Sequence, residues 1–184
     1  MPGTLFFVVG ASGVGKDTLI KGAKEALSGE GFVFARRTVT RPADVGDEGH
    51  EHLARPQFED VRARGGFLIH WAAHGLLYGI RSEYRDELMN GKHVVVNGSR
   101  AAIPDLLEAV PGALIVQVTA RPETIAKRLA ARGREDQSEI RARLERGSLS
   151  VPAHAKTLTV ANDSDQAAGV ASFTAILRQH ACPL

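Results

Sequence analysis

Cysteine is almost absent from this chain: among 184 residues there is one, Cys182, close to the C-terminus. A single thiol excludes an intrachain disulfide framework and a zinc site built on several thiolates, and it suits a reducing compartment. Its near-terminal position also makes it a poor candidate nucleophile. Long apolar runs are missing too. Nothing approaches the roughly 20 residues of a membrane-spanning helix. The apolar stretch Thr4–Val9 follows only Met-Pro-Gly, without a basic leader or a cleavage pattern. It is expected to be a first strand rather than a signal peptide, which makes the cytoplasm the default location. Neither charge sign dominates: 23 Lys plus Arg against 21 Asp plus Glu leave a net +2. That balance argues against bulk binding to nucleic acid or a membrane surface, while leaving single arginines free to hold a small anion. No internal repeat and no low-complexity linker interrupts the chain, so one domain over 1–184 is the expected organisation, with monomer or homodimer left open.

What is present is ordinary globular composition, 43% hydrophobic and 24% charged, arranged in alternating short apolar runs and helical patterns. Leu5–Val9 reads as a strand buried on both faces. Thr18–Leu27 has helical spacing, and Phe32–Ala35 reads as a second short strand. Arg36–His52 is polar, rich in arginine and glycine, and is expected to be a functional loop region. Pro56–Arg64 reads as a helix and Phe67–Trp71 as a strand, followed by a glycine-containing segment through Gly79. Glu83–Met89 reads as a helix, His93–Val96 as a strand, Ile103–Val110 as a helix and Ala113–Thr119 as a strand. Pro122–Ala131 and Gln137–Arg146 read as helices, Leu158–Val160 as a last strand and Gln166–Gln179 as a closing helix. Strands alternating with helices predict an α/β fold with a parallel sheet covered by helices.

Gly10-Ala11-Ser12-Gly13-Val14-Gly15-Lys16-Asp17-Thr18 lies between the first strand and the first helix. In that context the spacing is a P-loop. Its glycines let backbone N–H groups turn in on an anion, the helix adds its positive end, and Lys16 reaches the β- and γ-phosphates. Asp17 stands where the usual motif has Ser or Thr on Mg2+, with Thr18 one place later. Two roles are open to Asp17: a carboxylate resting on a helix N-terminus, or a ligand of Mg2+. Downstream, Arg36, Arg37 and Arg41, with Thr40 between, suit a phosphate clamp; the bland alternative is a solvated basic loop. Asn97, Ser99 and Arg100 follow a buried strand, at the edge where open α/β sheets bind ligands. Ser99 also suits a helix cap.

The arrangement resembles guanylate kinases over nearly the whole chain. Thr40-Arg41-Pro42 with Gly46-Asp47 is similar to their acceptor-phosphate segment. Phe67–Ala72, His74-Gly75 and Tyr78-Gly79 are similar to the stretch that follows it. Arg128-Leu129, Arg132-Gly133, Ile140 and Arg143-Leu144 resemble their lid, and Asn162-Asp163 their late Asn-Asp near the adenine ring. The resemblance implies an acceptor segment at about 36–92 and a lid at about 132–147, whose Arg132 and Arg143 touch the transferring phosphate in preference to Arg134 or Arg141. The guanine-reading positions differ: His70, Ile80 and Asn97 stand where guanylate kinases have a carboxylate, a hydroxyl and an Asp, and Asp44 replaces a second arginine. Ile80 cannot hydrogen-bond, and losing paired polar contacts of this kind costs selectivity by orders of magnitude.

Arg36–Pro42, His70–Leu76, Val95–Arg100 and the Gly-Lys-Asp ending of the loop resemble a narrower family, the ribose 1,5-bisphosphokinases. That resemblance implies ATP and Mg2+. It implies transfer to ribose 1,5-bisphosphate giving 5-phosphoribosyl 1-diphosphate, in phosphonate breakdown and as a side route to nucleotide and NAD synthesis. It also makes His70, His74 and Tyr78 acceptor-side candidates. For the two histidines, hydrogen bonding to the ribose or its 5-phosphate competes with satisfaction by backbone, and a metal site lacks a third ligand at evident spacing. Trp71 reads as core. Two other functions stay open: a nucleoside monophosphate kinase, and a non-catalytic guanylate-kinase-like module. Such modules tend to lose the phosphate loop, whereas Gly15-Lys16 and the lid-like arginines persist in this sequence.

Overall fold

The computed structural model describes residues 2–41, 49–73, 75–131 and 151–181. Its strands are β1 (Leu5–Gly10), β2 (Phe32–Phe34), β3 (Arg37–Val39), β4 (His50–His52), β5 (Phe67–Ala73), β6 (Leu76–Arg81), β7 (His93–Asn97), β8 (Leu114–Thr119) and β9 (Thr157–Ala161). Its helices are α1 (Lys16–Ala26), α2 (Arg55–Ala63), α3 (Glu83–Met89), α4 (Ile103–Ala109), α5 (Pro122–Ala131) and α6 (Gln166–His180). A short 3-10 turn, Arg100–Ala102, precedes α4.

Two sheets organise these elements. The main sheet has the order β2-β7-β1-β8-β9, with every pairing parallel. The helical connections between its strands make this the expected α/β arrangement. β1 is central and its apolar run is buried on both faces, because packed elements cover both sides. Leu5, Phe7 and Val9 join Val94 and Val96 in one cluster, whereas Phe6 and Val8 join Leu19, Ala23, Phe173 and Leu177 of α1 and α6 in the other. The second sheet has the order β4-β3-β6-β5, mostly antiparallel. It packs one face on the first cluster through Ile69, Trp71 and Ile80. Trp71 meets Phe7 of β1 edge-on, ring centroids 6.3 Å apart.

This second sheet corrects the sequence reading. The stretch expected to be loop, 36–52, contains β3 and β4, and the glycine-containing segment through Gly79, to which no strand was assigned, contains most of β6. Three-residue strands carry no periodicity of their own; their partners lie far off in the chain, as Thr38 pairs with both Glu51 and Gly79. The helix expected at 137–146 lies outside the described residues.

Candidate active site

The phosphate loop is shaped by where β1 must stop. β1 runs to Gly10, and α1 begins at Lys16, with Gly15 as its N-cap in the left-handed region (φ 98°) and Gly13 likewise at φ 81°. A side chain at Gly15 would also collide with the Asn162 amide, its Cβ falling 2.6 Å from Nδ2. Gly15 has no side chain with which to cap α1, an arrangement that suits its first backbone N–H groups to an anion, with the positive end of the helix behind them.

Lys16 folds back over this loop, its Nζ donating to the carbonyls of Gly10 (2.8 Å) and Ala11 (3.1 Å). Burial lowers its pKa from 10.5 to about 8; the Asp17 carboxylate works against that shift, and the charges of Arg100 and Arg37 add to it. The Lys16 ammonium thus feels positive charge from Arg100, after β7, and from Arg37, on β3. Burial lowers the pKa of Arg100 as well. An anion bound at Lys16 would offset that like-charge effect, which is what a site for transferred phosphates requires.

Asp17, exposed in the first turn of α1, is met by the end of β7. Asn97 Nδ2 donates to Asp17 Oδ1 at 2.6 Å, while Asn97 Oδ1 is buried and has no hydrogen-bond partner among the described residues. Behind the loop, Asn162 is 4% exposed and donates from Nδ2 to the Val14 carbonyl at 2.8 Å. Arg128 of α5 donates to the same carbonyl (3.2 Å) and to the Asn162 carbonyl (2.9 Å). The side chain of Asn162 thus braces the phosphate loop from behind. Arg128, one of the lid-like residues in the sequence, is a second brace. Asp163 accepts from the Arg121 backbone N–H and the Thr124 hydroxyl, both at 2.8 Å, tying β9 to the start of α5.

On the second sheet, Arg37 is held by a pair of rings. Its guanidinium lies 2.8 Å from His50 Nε2 and over Tyr78, 5.8 Å from the ring centroid. Tyr78 stacks on Trp71 at 5.6 Å, and Trp71 meets Phe7, so packed rings run from the arginine to β1. Arg36 donates its backbone N–H to Tyr84 Oη (2.8 Å) and its guanidinium to the His50 carbonyl. Thr40 Oγ1 accepts from the Leu77 N–H at 2.9 Å, and the Arg41 carbonyl lies 3.2 Å from His52 Nδ1. Strand alternation puts His70 on the opposite face from Trp71 and Tyr78, exposed, beside Thr38, Glu51 and Arg81. The structure does not bring it to Arg37. Ser99 starts the turn before α4 without a side-chain cap bond. His74, Arg132 and Arg143 lie outside the described residues, as does the segment expected to form a lid at about 132–147.

His50 was missed in the sequence, though the alternation His50-Glu51-His52 was a signal for a short strand presenting both rings on one face. Glu51, on the other face, accepts from Arg81 Nε at 2.8 Å and also from Arg81 Nη2 and the Thr38 hydroxyl.

Mg2+ fits this donor set. Among the described residues no group of three or more His, Cys, Asp or Glu is placed to hold a metal. Mg2+ commonly takes one or two protein oxygens and completes its shell with substrate phosphates and water. Asp17, exposed in the first turn of α1 beside the phosphate loop, offers such an oxygen, its other one being held by Asn97.

No family model matches the chain. It is 52% identical over 176 residues to the bifunctional ribose 1,5-bisphosphokinase-thymidine phosphorylase of Azorhizobium caulinodans, covering 95% of this chain and 25% of that protein. It is 40% identical over 164 residues to the ribose 1,5-bisphosphate phosphokinase PhnN of Thiobacillus denitrificans, covering 89% and 86%. To the protein of that name from Agrobacterium fabrum it is 42% identical over 159 residues, covering 86% and 87%. The chain therefore spans 25–30% of the length of the bifunctional relatives first matched and most of the length of these two single-function ones. In fold it is similar to a guanylate kinase of Anaplasma phagocytophilum, TM-score 0.67 at 15% identity, covering 97% and 86%. It is also similar to a gluconokinase of Sinorhizobium meliloti, TM-score 0.56 at 22% identity, covering 96% and 92%.

Proposed function

The chain belongs to the ribose 1,5-bisphosphate phosphokinase family, and from that premise we propose that it transfers the γ-phosphoryl group of ATP to ribose 1,5-bisphosphate, giving ADP and 5-phosphoribosyl 1-diphosphate. The observation that carries the reading is Lys16 folded over the phosphate loop, with the charges of Arg100, after β7, and Arg37, on the second sheet, acting on it. Donor phosphates would lie on the loop, 10–18, with Lys16 turning from its carbonyls to the bridging and terminal oxygens. The acceptor would lie against the Arg37 side, with Arg36, Arg41, Tyr78 and Arg100 as further contacts. His74, Arg132 and Arg143 belong to this proposal through the family resemblance.

The attacking group is an oxygen of the sugar 1-phosphate. A phosphate monoester has its second pKa near about 6, so the nucleophile is already ionised at neutral pH and no general base is needed. The task of the protein is then to position two polyanions in line and offset their repulsion. Lys16 and Arg37 supply fixed positive charge from the two sides. The braces from Asn162 and Arg128 keep the loop carbonyl of Val14 turned away from the anion. Asp17 would hold Mg2+, which when bound neutralises charge on the donor phosphates. Ile80, fully buried, offers nothing to a purine edge, and a base-free sugar has no need of it.

A single domain over 1–184 with a closing lid completes the proposal. A cytoplasmic setting and a role in phosphonate breakdown, feeding nucleotide and NAD synthesis, belong to it too. Phosphorus NMR of the protein with ATP, Mg2+ and ribose 1,5-bisphosphate tests it. A new pair of coupled diphosphate resonances, with ADP in equal amount, is expected. ADP accompanied only by inorganic phosphate would reject the acceptor.

A further inference from the structure

We infer that Asn97 is a positioning residue for the metal carboxylate: with Asp17 it forms one unit in which the charged and the neutral member have exchanged their customary places. The inference rests on the reading of Asp17 as the Mg2+ ligand given above. In P-loop NTPases at large, the loop supplies a hydroxyl and a separate segment supplies the carboxylate. Here the loop supplies the carboxylate, Asp17, and the adjacent parallel strand supplies an amide, Asn97. β7 pairs with β1 in parallel, Asn97 opposite Val8, so the strand end lies directly beside the loop.

Three observations make the contact more than a helix-end carboxylate with a neighbour. Asp17 does not cap α1; it accepts instead from Asn97, 80 residues away, at 2.6 Å, the short length of a charge-assisted bond. The amide orientation is dictated by the carboxylate, since turning it over would set oxygen against oxygen. That orientation leaves Asn97 Oδ1 buried with no donor among the described residues, an arrangement that native structures keep where an ion, a water or a ligand completes it. Holding one carboxylate oxygen fixes which lone pairs of Asp17 remain open. The unit carries one negative charge, as the usual hydroxyl–carboxylate pair does.

The test is Mn2+ binding followed by electron paramagnetic resonance, with the non-hydrolysable ATP analogue AMP-PNP as the nucleotide, so that no turnover is needed. Outer-shell partners of metal ligands are commonly worth about 10–100-fold in affinity. Asn97→Ala is expected to weaken Mn2+ in the ternary complex about tenfold and to change its spectrum, while AMP-PNP affinity without metal stays as in wild type. Asp17→Ser should lose more. The transposed variant Asp17→Ser/Asn97→Asp should regain at least about tenfold over Asp17→Ser alone, because it restores a carboxylate to the unit. An unchanged Mn2+ affinity and spectrum in Asn97→Ala, or no recovery in the transposed variant, overturns the inference. Wild-type Mn2+ binding by Asp17→Ser rejects the Asp17 reading itself. Circular dichroism of each variant establishes that the fold is kept.

Discussion

Lys16 is the residue in which the sequence pattern and the chemistry meet most closely. Its place after three spaced glycines identified the phosphate loop, and the structure shows it folded onto the carbonyls of Gly10 and Ala11. On the proposed function, removing it takes away the charge that would reach the departing and transferring oxygens. Lys16→Ala is expected to lower kcat by on the order of a hundredfold to a thousandfold, with the circular dichroism of wild type. Near-normal turnover in a folded variant would remove the lysine from the chemistry. Local spacing made Lys16 legible because the loop is contiguous in sequence. The Asp17–Asn97 bond was not, since it joins residues 80 positions apart. The two roles that the sequence left open for Asp17 were weighed without that partner in view. Asn162 shows the same limit: the sequence marked it as important, but its buried bond to Val14 gives it a bracing task that no motif states.

At the scale of elements, β1, α1, β7, β8 and α6 were legible because each is long enough to show a buried run or a helical period. β3, β4 and β6 were not. They are held by partners from elsewhere in the chain, and the polar centre of that sheet is satisfied side chain to side chain. Glu51 is the hub. Arg81 lowers its pKa from 4.5 chiefly by hydrogen bonding, burial opposes this, and Thr38 adds to the lowering. A carboxylate with a depressed folded pKa contributes stability that is complete above its unfolded value and is lost as pH falls through the folded one. Unfolding of the wild type should therefore show an acid-dependent loss beginning below about pH 4.5. Glu51→Gln should be less stable at neutral pH by roughly 1 kcal/mol or less, the pair being partly exposed. Its stability should then fall less steeply with acid over that range. Parallel denaturant titrations at pH 7 and in the acid range measure both. Equal acid slopes for the two proteins would show that Glu51 does not carry the dependence.

For the molecule as a whole, the second sheet packs its aromatic face on the main one, and the rings of Tyr78, Trp71 and Phe7 link Arg37 to the strand that feeds the phosphate loop. The guanylate-kinase-like architecture was legible as a whole because its motifs fall in order along the chain, and the solved neighbours share that fold. Acceptor choice is a finer property. It depends on what replaces the guanine contacts, and there Ile80 is buried apolar surface and Asn97 is engaged with Asp17. An acceptor anchored by phosphate and lacking a base suits that environment. The measurement that bears most directly on this claim is the ratio of kcat/KM for ribose 1,5-bisphosphate to that for GMP, at saturating ATP and Mg2+. A ratio of at least about a hundred is expected, since a site without partners for the base hydrogen bonds discriminates by orders of magnitude; a ratio below one, with GDP as the main product, would contradict it.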